Sequence, residues 1–275
     1  MIKDLAVNLS GRARQDFAAD YAVSVGAAFG AHVVGIAFVY DPVIPDGMLG
    51  GIPVDVIEIQ REEASKTATA AVERFERSAK AAAVSVETRV LEASLGSGAT
   101  LFGSIARRFD LAVVGQAQRE HGAAEDLLVE AALFDSGRPL LVVPYIQRSG
   151  LKLDRVVVCW DGGRTAARAI ADAMPLLQRA KAVDLMIVAE ERKQEEIAGA
   201  DMVQHLGRHG IHATTKHTAR GDISVENVIL SYAADAGADF LVMGGYGHSR
   251  MRELVLGGVT REILASVTLP VLMSH

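Results

Sequence analysis

Cysteine is almost absent: Cys159 is the only one in 275 residues. An internal disulfide framework is excluded, and the composition fits a reducing compartment. Aromatic residues make up only 5%, so the core has to be built from Ala, Val, Leu and Ile. There is no excess of basic charge; the formal net charge is -6. That argues against a nucleic-acid partner, which needs a basic face. Long apolar runs are missing too, and none approaches the roughly 20 residues that span a bilayer. At the N-terminus Lys3 and Asp4 lead into only Leu5–Val7 before Asn8, which makes no signal peptide. The expectation is a soluble, cytoplasmic protein with neither membrane nor nucleic acid as partner.

What is present is an internal repeat. Lys3–Leu9 reads as a strand running into Ser10-Gly11-Arg12 and a helix. Arg155–Trp160 runs likewise into Asp161-Gly162-Gly163-Arg164 and a helix with Ala166, Ile170, Ala173 and Leu177 on one face. Ala31–Val39 and Ala182–Ala189 are continuously apolar, as strands buried on both faces are. Ser85–Leu91 and His212–Thr218 are expected third strands, followed by helices over Thr100–Arg108 and Ser224–Ala236. Asp222 or Ser224 starts the latter and Gly237 ends it. Asp110–Gly115 then matches Asp239–Gly244 position for position. Pro139–Val143 and Pro270–Met273 close the halves.

Each half therefore reads β-α-β-α-β-α-β-α-β: an α/β fold, with a doubly wound, five-stranded parallel sheet in each half and helices on both faces. The boundary falls near Tyr145–Leu153, giving domains 1–146 and 152–275. One segment departs from the pattern. Asp41–Pro53 carries three of the seven prolines beside Val43, Ile44, Met48, Leu49 and Ile52. It is either a surface loop over the sheet edge or a lid or partner-contacting loop.

In such sheets ligands bind beyond the carboxyl ends of the strands, near the topological switch point. After the fourth strand of the second half stand Gly244-Gly245-Tyr246-Gly247-His248-Ser249, then Gly257-Gly258-Val259-Thr260. Val259, Ile263, Leu264 and Val267 keep helical spacing, so a helix opens at about Gly258. Glycines let backbone N–H groups approach an anion, and a helix N-terminus adds unpaired donors. His248 either contacts phosphate or shuttles a proton there, or is an exposed loop residue. His205 and His209, four apart, read either as a solvated helix face or as part of a metal site. No Walker loop and no Gly-x-Ser-x-Gly elbow is present.

Gly244-x-x-Gly247, nine residues, then Gly257 resembles the motif of the universal stress protein family, and the repeat is similar to that family end to end. The resemblance implies ATP, with Mg²⁺, as ligand. It implies that Gly244, Gly247, Gly257 and Gly258 line the ribose and phosphates, with Met243, His248, Val259 and Thr260 beside them. Asp161 would meet the adenine, and the backbone near Val188 would complete the base pocket. Gly258 departs from the family's Ser or Thr. The resemblance also implies that the halves form an intramolecular pseudo-dimer through their last strands, with a further homodimer possible.

The first half lacks these features. Gln118 replaces the second glycine of Gly115-x-x-Gly, Asp126–Glu130 brings carboxylates where phosphates would sit, and Leu9 is aligned with Asp161. No ATP is expected there by the family's mode. Three functions follow: an ATP-binding stress-response or signalling protein with little or no hydrolysis, a non-binding interaction module, or an adenylating or hydrolytic enzyme. The enzyme reading is the weakest, because Asp161-Gly162-Gly163-Arg164-Thr165 falls short of the Ser-Gly-Gly-x-Asp-Ser turn of ATP pyrophosphatases.

Overall fold

The structure is a computed structural model that describes residues 1–11, 15–42, 54–117, 123–189, 199–219, 223–245 and 258–275. Its contacts divide the chain into two compact units, Ile2–Arg138 and, apart from Met1, Pro139–His275.

In the first unit the chain runs β1 (Asp4–Leu9), α1 (Phe17–Phe29), β2 (His32–Tyr40), α2 (Val54–Ala81), β3 (Val86–Ala93), α3 (Leu95–Ala106), β4 (Leu111–Gly115) and α4 (Ala123–Asp135). The four strands are ordered β3-β2-β1-β4, with β1 parallel to both neighbours. Leu5, Val33, Ile36, Ala112, Val113 and Val114 are completely buried, as continuously apolar strands in a covered sheet must be. The edge strand β3 instead alternates between partly and well exposed positions. On α2, Ala68, Ala71, Phe75 and Ala79 make the buried stripe.

The second unit begins with β5 (Leu140–Val143) and continues β6 (Arg155–Cys159), α5 (Arg164–Leu177), β7 (Ala182–Ala189), α6 (Gly199–Arg208), β8 (Ala213–Ala219), α7 (Val225–Asp235), β9 (Phe240–Gly244), α8 (Gly258–Ser266) and β10 (Val271–Ser274). Its strand order is β5-β10-β9-β6-β7-β8. All these pairs are parallel except β5 with β10, which is antiparallel with Leu141 opposite Leu272. That ladder draws Pro139–Val143 into the second unit, so the contact boundary lies upstream of Tyr145–Leu153.

The repeat reaches individual hydrogen bonds. Asp110 Oδ2 accepts from the Lys3 N–H at 2.7 Å, and Asp239 Oδ2 accepts from the Arg155 N–H at 2.9 Å. Each aspartate ties the start of a fourth strand to the start of a first. Their backbone N–H groups donate to Asp4 and Arg155 respectively, which makes those two residues equivalent. The helix α3 starts earlier than its apolar spacing predicts. Ser94 and Ser97 form a capping box, and Gly96 and Gly98 conceal the helix start in the sequence. In α7 the N-cap is Ser224, and Gly237 follows at φ +64°, where glycine is favoured.

Helix α1 is capped by Asp16, whose Oδ1 accepts from Ala19 N–H at 3.0 Å and Oδ2 from Ser10 N–H at 2.6 Å. Burial outweighs these bonds and raises its carboxyl from 3.8 to about 6. With the folded value above the unfolded one, the group's contribution to stability is complete below 3.8 and is lost as pH rises through about 6. Against Asp16→Asn, which does not titrate, the wild type therefore loses up to about 3 kcal/mol between pH 4 and 7. Urea unfolding of both proteins, followed by circular dichroism across that range, measures the difference. A wild-type advantage that grows with pH would contradict it.

Candidate nucleotide site of the second domain

Strand β6 lies between β7 and β9, so the chain reverses direction across the sheet at β6 and β9. This is the switch point where an open α/β sheet leaves a crevice at its carboxyl edge. Three segments reach it: the turn Trp160–Gly163 after β6, the end of β7, and the end of β9 with the start of α8. Helix α8 opens at Gly258, with Ile263 fully buried and Val267 nearly so. Gly247, His248 and Gly257 lie outside the described residues, as does the loop 43–53.

Asp161 is exposed, and its Oδ1 accepts from the Gly163 N–H at 2.7 Å. The carboxylate thus closes an Asx turn that launches α5, whose N-cap is Gly163. Among the described residues Oδ2 has no hydrogen-bond partner, so one oxygen of a fixed carboxylate remains available at the crevice. The charge of Asp161 also reaches Cys159. With burial as the larger cause, it pushes that thiol up to about 12. The lone cysteine is no nucleophile at neutral pH. Beside it the Trp160 N–H of the backbone donates to Met186 at 2.8 Å.

Gly244 gains a second reason to be glycine. A Cβ there would stand 2.6 Å from both Ala166 N and Thr165 Oγ1, and 2.7 Å from Thr165 C. The end of β9 rests directly on the first turn of α5, close to the Asp161 turn. At Gly115, the matching position of the first unit, the nearest atom to such a Cβ is Ala18 Cβ at 3.7 Å. A sequence motif cannot show this contact, because it is tertiary.

Met243 is buried at 5% exposure, so its backbone faces the crevice while its side chain serves the core. It pairs with Met273, and Gly244 with Ser274. Val188, near the end of β7, pairs with Thr218. Val259 is half-buried, and Thr260 is 5% exposed, which places the threonine against the core. The Asp161 turn follows β6, and Gly244 and the α8 start follow its neighbour β9. His205 and His209 form an edge-to-face ring pair at 4.8 Å, and no metal-binding group of three or more side chains occurs among the described residues.

One alignment is corrected. With Asp4 equivalent to Arg155, and Leu5 and Val156 paired to the first residues of β4 and β9, Ser10 and not Leu9 stands at the position of Asp161. The turn between β1 and α1 is longer than that between β6 and α5, so matching through Gly11 and Arg12 slipped by one residue. The first turn of α4 carries Glu125 and Asp126.

In a doubly wound α/β fold, ligands bind in the crevice at the switch point. The model of the Universal stress protein family matches residues 152–275, the second domain. A universal stress protein from Synechocystis sp. is 45% identical over 47 residues, 17% of this chain and 16% of that protein. The chain thus matches under one fifth of the length of that relative. The crystal structure of a universal stress protein from Archaeoglobus fulgidus superposes with TM-score 0.71 at 16% identity, covering 98% of this chain and 97% of the other. A functionally unknown protein from Pseudomonas aeruginosa gives TM-score 0.65 at 12% identity, covering 99% and 92%. These two establish the fold of the whole chain. No described helix is long and apolar enough to cross a membrane.

Proposed function

We propose that the protein is an ATP-binding stress-response or signalling protein, with one nucleotide site in the second domain and at most slow hydrolysis. The observation that supports this reading is that the Asp161 turn and the Gly244–α8 segment follow two neighbouring strands, β6 and β9, at the switch point. Asp161 would hold the adenine through its available oxygen, with the backbone near Val188 beside it. Gly244, Gly247, Gly257 and the N–H groups at Gly258 and Val259 would meet ribose and phosphates, with His248 alongside. Mg²⁺ would arrive on the phosphates. The first domain, with Ser10 and an acidic α4 start at the matching places, takes no ATP and serves as the built-in partner of the pseudo-dimer.

Gly258 supplies no hydroxyl, which weakens the grip on phosphate by about 1.5–3 kcal/mol relative to Ser or Thr. The packing role of Gly244 favours a second reading, an interaction module that binds no nucleotide. Trp160 separates the two. It is the only tryptophan and adjoins Asp161, so Mg-ATP quenches or shifts its fluorescence if the site is real, and Asp161→Leu abolishes the change. An unchanged spectrum at millimolar ATP would favour the interaction module.

A further inference from the structure

The first domain has its own cavity, of about 390 Å³, at the carboxyl edge of its sheet. Its lining includes Asn8, Phe38, Tyr40, Glu63, Glu125 and Leu128. Four side chains define its chemistry. Glu125, in the first turn of α4, has a buried Oε2 with no hydrogen-bond partner among the described residues. Asn8 is 7% exposed and lines the cavity. Phe38 and Tyr40 stack with ring centroids 5.6 Å apart.

The direction of Asn8 follows from its neighbour. Leu9 lies against Gly35 beside Phe75 of α2, so Asn8 projects from the opposite face. Phe38 and Tyr40 share that face, where they meet Gly98 of α3. The buried Asn8, the unpaired Oε2 of Glu125 and a stacked aromatic pair therefore border one cavity. A buried polar atom without a partner is costly, and a ligand that supplies the missing bonds relieves that cost.

The charge selects the ligand. The described lining holds the carboxylates of Asp41, Glu63 and Glu125 and no Lys, Arg or His. Asp41 is approached by Arg61 at 3.9 Å and Glu63 by Lys66 at 3.1 Å, both at exposed positions. Among the described residues Glu125 has no such cation. A phosphate is repelled here, while a cation gains a charge-assisted bond to Glu125 and an aromatic face.

We propose that this cavity binds a small organic cation, an ammonium or amidinium group on a flat apolar body. Glu125 takes the charge, the Asn8 carbonyl a further N–H, and Phe38, Tyr40 and Leu128 flank the apolar part. The volume lies within the ordinary range for small-molecule sites. The tandem would then carry two unlike sites, with opposite charge preference, on one repeated fold.

Calorimetric titration of the full chain with benzamidine and with 2-phenylethylamine tests the proposal, with benzyl alcohol as the neutral counterpart. Both cations bind once per chain, and benzyl alcohol binds at least about tenfold more weakly. Glu125→Gln lowers the affinity for both cations at least about tenfold. Tyr40→Leu, which keeps an apolar side chain at a half-buried position, also weakens both. Asp161→Leu changes neither, which separates this site from the nucleotide reading. Equal affinity for benzyl alcohol, an unaltered response in a folded Glu125→Gln protein, or no heat with either cation at millimolar concentration would overturn it.

Discussion

Replacing Gly244 with alanine destabilises the second domain by about 2–3 kcal/mol, while the same change at Gly115 costs under about 0.5 kcal/mol. Neither glycine has a positive φ, so the contrast is one of space and not of backbone strain. At Gly244 the new methyl would lie 2.6 Å from Ala166 N and 2.7 Å from Thr165 C. Those are backbone atoms in the first turn of a helix whose same face continues into the core, with Ala169, Ile170 and Ala173 almost fully buried. Neither the strand end nor α5 can move without disturbing that packing. At Gly115 the methyl makes an ordinary contact at 3.7 Å. Urea unfolding by Trp160 fluorescence reads the second domain, and circular dichroism reads the whole chain. Equal costs at the two positions would remove the packing role assigned to Gly244.

The second large effect lies at the opposite edge of the sheet. Asp184 is 3% exposed. Its Oδ2 accepts from Arg155 Nη1 at 2.7 Å and from the Tyr232 hydroxyl at 3.0 Å. Asp184→Ala removes the acceptor shared by the Tyr232 hydroxyl and the partly exposed Arg155 guanidinium and costs about 2 kcal/mol. Tyr232→Phe leaves the ion pair intact and costs only about 1 kcal/mol. A spectroscopic signature accompanies the loss. Burial first, and then the bond and charge of Asp184, push the Tyr232 hydroxyl up to about 12. In Asp184→Ala its alkaline titration moves back toward the usual value of 10.0. Tyr232 contributes stability that is complete below 10.0 and lost as pH rises through about 12. A variant that unfolds at the wild-type urea concentration, with tyrosine titration unchanged, would contradict the triad.

The fold was legible wherever local pattern and tertiary role agree. The apolar runs of β2 and β7 mark covered strands, and the repeated Asp110–Gly115 and Asp239–Gly244 segments hold equivalent hydrogen bonds as well as equivalent strands. The opening of α8 at Gly258 was also readable, because Ile263 and Val267 keep the helical period. What escaped was the product of contacts distant in sequence. The packing of Gly244 on Thr165 and the pairing of β5 with β10 depend on such contacts. The start of α3 was hidden by glycines that the Ser94 cap tolerates. The position opposite Asp161 was misread because a longer turn cannot be aligned without strand register. The cavity of the first domain was invisible for a related reason: Asn8, Tyr40 and Glu125 come from three separate elements.

These readings give the two domains different work on a common frame. A calorimetric titration of the purified chain with Mg-ATP tests the nucleotide assignment most directly, with Asp161→Leu and Gly247→Gln as variants. The account predicts one site per chain, lost in both variants. No heat at millimolar ATP, two sites per chain, or binding unaffected by either substitution would contradict it.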